Sequence, residues 1–223
     1  MVIRGEGMKK VAVVIGDLIR SKKMKNRAKI QRKLKKVLEK INRAHGDSIL
    51  AQLVVTRGDE FEGALKDAKA CYDVFEDIEQ SLYPIGIRGG IGVGEIDTEF
   101  SEVVTEMDGP AFHRAREALE GVKEKKSGLL IRSGDKELDE TLNPILHLLW
   151  AVRSGWTDRQ REVINFYLSH GAPTHAEVAR HFGVSQPAVT KILLAAHAKA
   201  VGDVREFLIR RLSALGGKEK AKG

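Results

Sequence analysis

Cysteine is the scarcest chemistry in this 223-residue chain, with Cys71 alone, and aromatic residues make up only 5%. One cysteine excludes an internal disulfide framework and fits a reducing cytoplasm. Nothing near Cys71 suggests the cationic and partly exposed setting that a reactive thiol needs, so the buried face of a helix is its expected place rather than a catalytic role. No stretch reaches the ~20 apolar residues of a membrane span, and no charged–apolar–small leader opens the chain. The expectation is a cytoplasmic protein with no membrane association. Internal repeats are absent. The spacings of His170, His175, His181 and His197 match no zinc motif, which leaves them as cap and surface residues.

What is present is charge, at 31% of residues, with a net charge of +7. It is unevenly spread. Residues 157–223 hold 11 Lys/Arg against 6 Asp/Glu, whereas the first 156 residues hold 27 against 25. A small basic unit at the C-terminal end invites a polyanion.

The first unit alternates strand and helix signals. Residues 10–16 (KVAVVIG) form a β-branched apolar run, and Ile30, Leu34, Leu38 and Ile41 then recur at helical spacing. ILAQLVV predicts a second strand, Gly58-Asp59 a hairpin turn and EFEGAL the return strand. A helix over 67–82, a glycine-rich strand (IGIRGGIGVGEI), a helix over 109–126 and a strand GLLIRS follow. This order predicts an α+β, ferredoxin-like fold: an antiparallel sheet with helices on one face. The division expected is an α+β domain over 1–135, a connecting helix over 136–155, an all-α domain over 156–215 and a disordered tail, GGKEKAKG, over 216–223.

The stretch HAEVARHFGVSQPAVTKILL (175–194) carries the most specific pattern. Thr174 with Glu177 is a capping box, Gly183 suits the left-handed end of a helix, and Ser185 caps the next. Val178, Phe182, Val189 and Ile192 face inward, and small Ala179 permits a close crossing. An earlier capping box, Thr157 with Gln160, opens the preceding helix. The whole resembles the helix-turn-helix of regulators and sigma factors, in which Ser185, Gln186, Thr190 and Lys191 would meet double-stranded DNA. The alternative is an αα corner packed on something else.

In the first unit, Asp17 ends the first strand and Asp59 follows the second. In a ferredoxin-like sheet those strands are expected to be central neighbours, so the two carboxylates would meet, and a divalent cation, Mg or Mn, would relieve their repulsion. Lys22, Lys23, Lys25, Arg27 and Lys29 follow at a helix start, where phosphate is favoured. The plainer reading makes the acids turn residues and the lysines a solvated face.

Four blocks, IGDLIRSKK, TRGDEFEG, YPIGIRGGIGVGEI and DGPAFHRARE, together resemble the SatD family over residues 10–126. More remotely they are similar to the palm domain of class III nucleotidyl cyclases. That resemblance implies metal ligands at Asp17 and Asp59, a phosphate cradle at Leu18, Ile19, Arg20 and Ser21, and a nucleotide contact at Arg88. It also places His113 and Glu117 where cyclases carry a ribose-orienting asparagine and a transition-state arginine. A glutamate cannot neutralise developing phosphate charge. Two readings result. The first is a DNA-binding transcriptional regulator, a homodimer if its target has two half-sites, whose palm-like head binds a metal–nucleotide. The alternative is a Mg-dependent nucleotidyl cyclase or nucleotidyltransferase with an accessory helix-turn-helix. An adaptor with a degenerate head is a third.

Overall fold

The computed structural model describes residues 10–19 and 26–215. The expected phosphate-cradle residues Arg20 and Ser21, the lysines Lys22, Lys23 and Lys25, and the expected disordered tail lie outside them.

Strand β1 (Val11–Leu18) is followed by α1 (Arg27–Ala44), the hairpin β2 (Ile49–Arg57) and β3 (Glu60–Leu65), then α2 (Ala68–Leu82) and β4 (Ile87–Gly94). Helix α3 (Pro110–Lys125) and β5 (Leu129–Arg132) complete the sheet, whose order is β2-β3-β1-β4-β5. All eight residues of β1 are buried, as a central apolar strand must be. Helix α1 buries the stripe Leu34, Val37, Leu38 and Ile41. Helix α2 starts at Asp67, whose carboxylate accepts from the Ala70 amide and fills an otherwise unpaired helix-end donor. Cys71 is buried on α2, as expected.

Two expectations are corrected. The sheet is not wholly antiparallel, because β5 runs parallel to β4. Nor do helices cover one face alone. Ala12, Val14, Leu18, Phe61 and Ile91 pack with α1 and α2 on the first face, whereas Val13, Ile15 and Ala64 pack with α3 on the second. The reason is written in the glycines of β4. A Cβ at Gly90 would lie 2.3 Å from the Ala115 carbonyl oxygen, and one at Gly92 would lie 2.1 Å from that of Ala111. Only a strand without side chains there lets α3 settle onto the second face.

Helix α4 (Lys136–Ser154) crosses β5, where the Asn143 side chain bonds both the amide and the carbonyl of Ile131. The tail is α5 (Asp158–Ser169), α6 (His175–Phe182), α7 (Gln186–Ala195) and α8 (Ala198–Ser213). Both capping boxes form, at Thr157/Gln160 and Thr174/Glu177. Gly183 is left-handed (φ 63°), the Val184 amide closes back on the Ala179 carbonyl, and the Ser185 side chain caps α7. The tail is docked on the head. Its buried Trp156, Val163, Val178 and Leu208 belong to the same apolar cluster as Val14 and Tyr72. Arg153 of α4 pairs with Glu76 and Glu79 of α2 beside this seam, and Arg205 of α8 approaches Asp73 and Glu76.

Candidate functional site

Directly opposed residues in a sheet share a face. Asp17, at the C-terminal end of β1, lies opposite Glu60 of β3 and Arg88 of β4, so acid, acid and base form one row on the second face. Asp17 is only 8% exposed. The Arg88 guanidinium donates to both of its oxygens, at 2.6 and 3.1 Å, in a bidentate pair. Helix α3 adds two cations from above: Lys123 Nζ stands 3.7 Å from Asp17, and Arg116 Nη1 lies 2.7 Å from Glu60 Oε2.

The expected adjacency of β1 and β2 is corrected: β3 intervenes, and β2 is an edge strand. In a split βαβ plan the return strand of the hairpin, not the outgoing one, lies beside β1. Glu60, the first residue after the turn, therefore faces Asp17, a position the spacing argument gave to Asp59. Asp59 itself is half-buried in the turn, and the tip is tied to α1 by Gln31, which donates to the Gly58 carbonyl at 2.6 Å.

The donors do not fit a resident cation. Both Asp17 oxygens are engaged by Arg88. Among the described residues no three His, Cys, Asp or Glu side chains gather as an ion would need. Magnesium, however, takes only one or two carboxylates when it arrives on a substrate's phosphates.

Beside the row opens a cleft of ≈ 570 Å³ between the hairpin, residues 104–108 and α3. Glu60, Glu62, Arg57 and Arg116 supply charge, and Val104 and Phe112 supply apolar wall. Burial raises the Glu62 carboxyl pKa above its ordinary value; Arg116 opposes this and Glu60 adds to it. His113 is exposed at the rim, 3.1 Å from Asp108.

The other expected site residues are placed as follows. The Leu18 side chain is buried in the core, and the Ile19 amide is spent on the Gly86 carbonyl at 2.8 Å. Glu117 pairs with Arg132 of β5 at 3.0 Å, and Arg114 donates to the Val93 carbonyl. On α7, Gln186 and Lys191 are exposed, Ser185 is occupied as a cap, and Thr190 Oγ1 is 2.9 Å from His175 Nδ1. Leu194 on the same helix is 71% exposed. Sequence reasoning missed Glu60, Glu62, Thr56 and Arg116; the hairpin turn and the sheet order were the signals that could have found the first.

The chain belongs to the SatD family, whose family model matches residues 11–206 and so runs past the four sequence blocks into α8. No curated protein matches it. Two solved structures of bacterial light-regulated adenylyl cyclases are similar to it. One is 14% identical with a TM-score of 0.44, covering 58% of this chain and 78% of that one. The other is 15% identical with a TM-score of 0.41, covering 59% of this chain and 46% of that one. Among the described residues no helix is long and apolar enough to cross a membrane.

Proposed function

We propose that this SatD-family chain binds a nucleoside triphosphate, with the divalent cation that travels on it, at the Asp17 end of the sheet, and acts on its phosphates as a nucleotidyl-transfer enzyme. The observation that carries the reading is the buried Asp17 held between Arg88 and Lys123. Without ligand, carboxylate and guanidinium satisfy each other. A triphosphate would offer Arg88 and Lys123 a more strongly charged partner, and its Mg²⁺ or Mn²⁺ would take the released Asp17, with Asp59 from the turn. Every charge changes partner and none is left bare, so the exchange avoids the penalty of stranding a buried ion. Strand ends are where open sheets bind such ligands. Arg88→Ala should abolish Mg-dependent ATP or GTP protection in a thermal-shift assay while the protein remains folded. Undiminished protection in that variant would end the proposal.

Double-stranded DNA is the second reading, favoured by the exposed Gln186 and Lys191 on a capped α7 and by the basic excess of residues 157–223. In it α5–α8 would be the DNA-binding unit of a regulator and the head its nucleotide sensor. Selection of bound genomic fragments tests it. Lys191→Ala should weaken binding to all fragments and reduce the salt slope by about one unit. An unchanged slope would remove α7 from the interface.

A further inference from the structure

The cleft beside the ionic row holds two polar atoms with no hydrogen-bond partner, although both are cut off from water: Glu60 Oε1 and Thr56 Oγ1. Each such orphan costs a folded protein stability, and both fall in one cleft, where they need a reason.

The backbone supplies an independent observation. Between the pairs Val55↔Phe61 and Arg57↔Glu60 the hairpin shifts register, so that β2 spends one more residue than β3. Thr56 is the extra residue of a β-bulge. Bulges re-aim side chains and gather near functional sites. Here the bulge puts a hydroxyl into the wall that Glu60 also lines.

The chemistry of the two atoms is specific. A carboxylate oxygen only accepts, whereas a threonine hydroxyl can donate. From one cleft lining, an acceptor and a donor together complement an amine next to an unprotonated ring nitrogen, the edge of adenine or cytosine. Val104, Met107 and Phe112 give a flat ring an apolar wall. Arg116 holds the other oxygen of Glu60 from a half-exposed position, so its long side chain can turn outward to admit a ligand.

We propose that this cleft is a binding site for a planar ring bearing an amino group beside a ring nitrogen, read by Glu60 Oε1 as acceptor and Thr56 Oγ1 as donor. It deepens the nucleotide reading, on which it rests for the identity of the whole ligand: the ring would be the base of the nucleotide whose phosphates reach Arg88. A free base or nucleoside has the same edge, and the test separates the two sources.

The experiment is titration calorimetry on the full chain with adenosine and inosine, without phosphate or metal, and then with ATP and ITP plus Mg²⁺. Inosine reverses the edge, presenting an acceptor where adenosine donates and a donor where it accepts. Adenosine should bind about tenfold more tightly than inosine, the worth of one or two hydrogen bonds. The same ratio should appear between ATP and ITP. Thr56→Val keeps the shape and removes the orphan hydroxyl. It should erase most of that ratio and at the same time raise the melting temperature of the ligand-free protein. A merely structural threonine would lower stability and leave the ratio untouched. Glu60→Gln, checked for folding because it loosens Arg116, should narrow the ratio as well.

Equal binding of adenosine and inosine, or of ATP and ITP, overturns the cleft assignment, as does binding of triphosphate with no binding of adenosine. Adenosine preference without any tighter binding of ATP would instead leave the cleft standing and remove the polyphosphate reading, with a free base or nucleoside as the occupant.

Discussion

Arg153 is where the docking of α4 onto α2, beside the seam between tail and head, can be weighed. Its guanidinium reaches Glu76 and Glu79 on successive turns of α2, the latter at 2.7 Å, and its side chain is 15% exposed. Arg153→Met keeps the apolar stem and removes the charge. Glu79 then loses its partner, and Glu76 keeps only Arg205 of α8, at 3.5 Å. Burial already raises the Glu79 pKa, with Arg153 the main opposing influence. Breaking a buried pair from one side costs about 3–5 kcal/mol, and at this exposure little of that is screened by solvent. A domain is stable by roughly 5–15 kcal/mol, so the loss is a large share of the total. Urea unfolding at neutral pH, followed by far-UV circular dichroism and by the fluorescence of Trp150 and Trp156, measures it. The triple variant Arg153→Met, Glu76→Gln, Glu79→Gln should recover most of the loss, because the two carboxylates are no longer charged and Arg205 keeps Asp73. If Arg153→Met alone unfolds within about 0.5 kcal/mol of wild type, as a surface substitution would, these ion pairs do not hold α4 against α2.

Three further outcomes are expected. Gly92→Val drives a side chain at the Ala111 carbonyl, 2.1 Å from the Cβ position; it should cost about 1–3 kcal/mol or more by overpacking, and because it lifts α3 it should also weaken nucleotide binding, which calorimetry reads. Gly183→Val meets no neighbour but must hold φ 63°; a cost of about 1–2 kcal/mol in thermal unfolding is expected, against a smaller one for Gly183→Asn. Glu62→Gln tests the raised Glu62 pKa. Folding favours the protonated acid, so its burden is absent below the ordinary value of 4.5 and grows as pH rises through the folded value. The variant should therefore melt higher than wild type at pH 8 and match it at pH 4, and the reverse order would show that the carboxylate is stabilising.

The parts of the fold that were legible in the sequence are those set by neighbours along the chain. Thr157 with Gln160, Thr174 with Glu177, and Gly183 before Ser185 announce helix ends because capping is a matter of three or four residues. The stripe through Leu34, Leu38 and Ile41 likewise reports its own buried face. What escaped depends on strands far apart in sequence. The pairing of Asp17 with Arg88 spans 71 residues, and nothing local to either announces it. The hairpin turn announces Glu60 as the start of the return strand, but that β3 rather than β2 stands beside β1 is a matter of sheet order, which no local pattern shows. The glycines of β4 were visible as a run, but whether they admitted a ligand or a helix required knowing that α3 lies on Gly90 and Gly92. In the tail, the caps of α7 were readable, yet the contact of Thr190 with His175 of α6 is one that only packing discloses.

The central claim is that Asp17 and Arg88 exchange each other for a cation and a triphosphate. Titration calorimetry of ATP with Mg²⁺ or Mn²⁺ on wild type, Asp17→Asn, Asp59→Asn and the double variant Asp17→Asn, Arg88→Met tests it most directly. Unfolding of the same variants is measured in parallel, because Asp17→Asn alone strands Arg88 and the double variant does not. The account predicts metal-dependent binding to wild type and loss of the metal dependence in both single aspartate variants. The double variant should lose binding altogether while unfolding closer to wild type than Asp17→Asn. Metal-dependent binding of equal affinity in wild type and Asp17→Asn, or no binding to wild type, would contradict it and leave Asp17 and Arg88 as a structural ion pair.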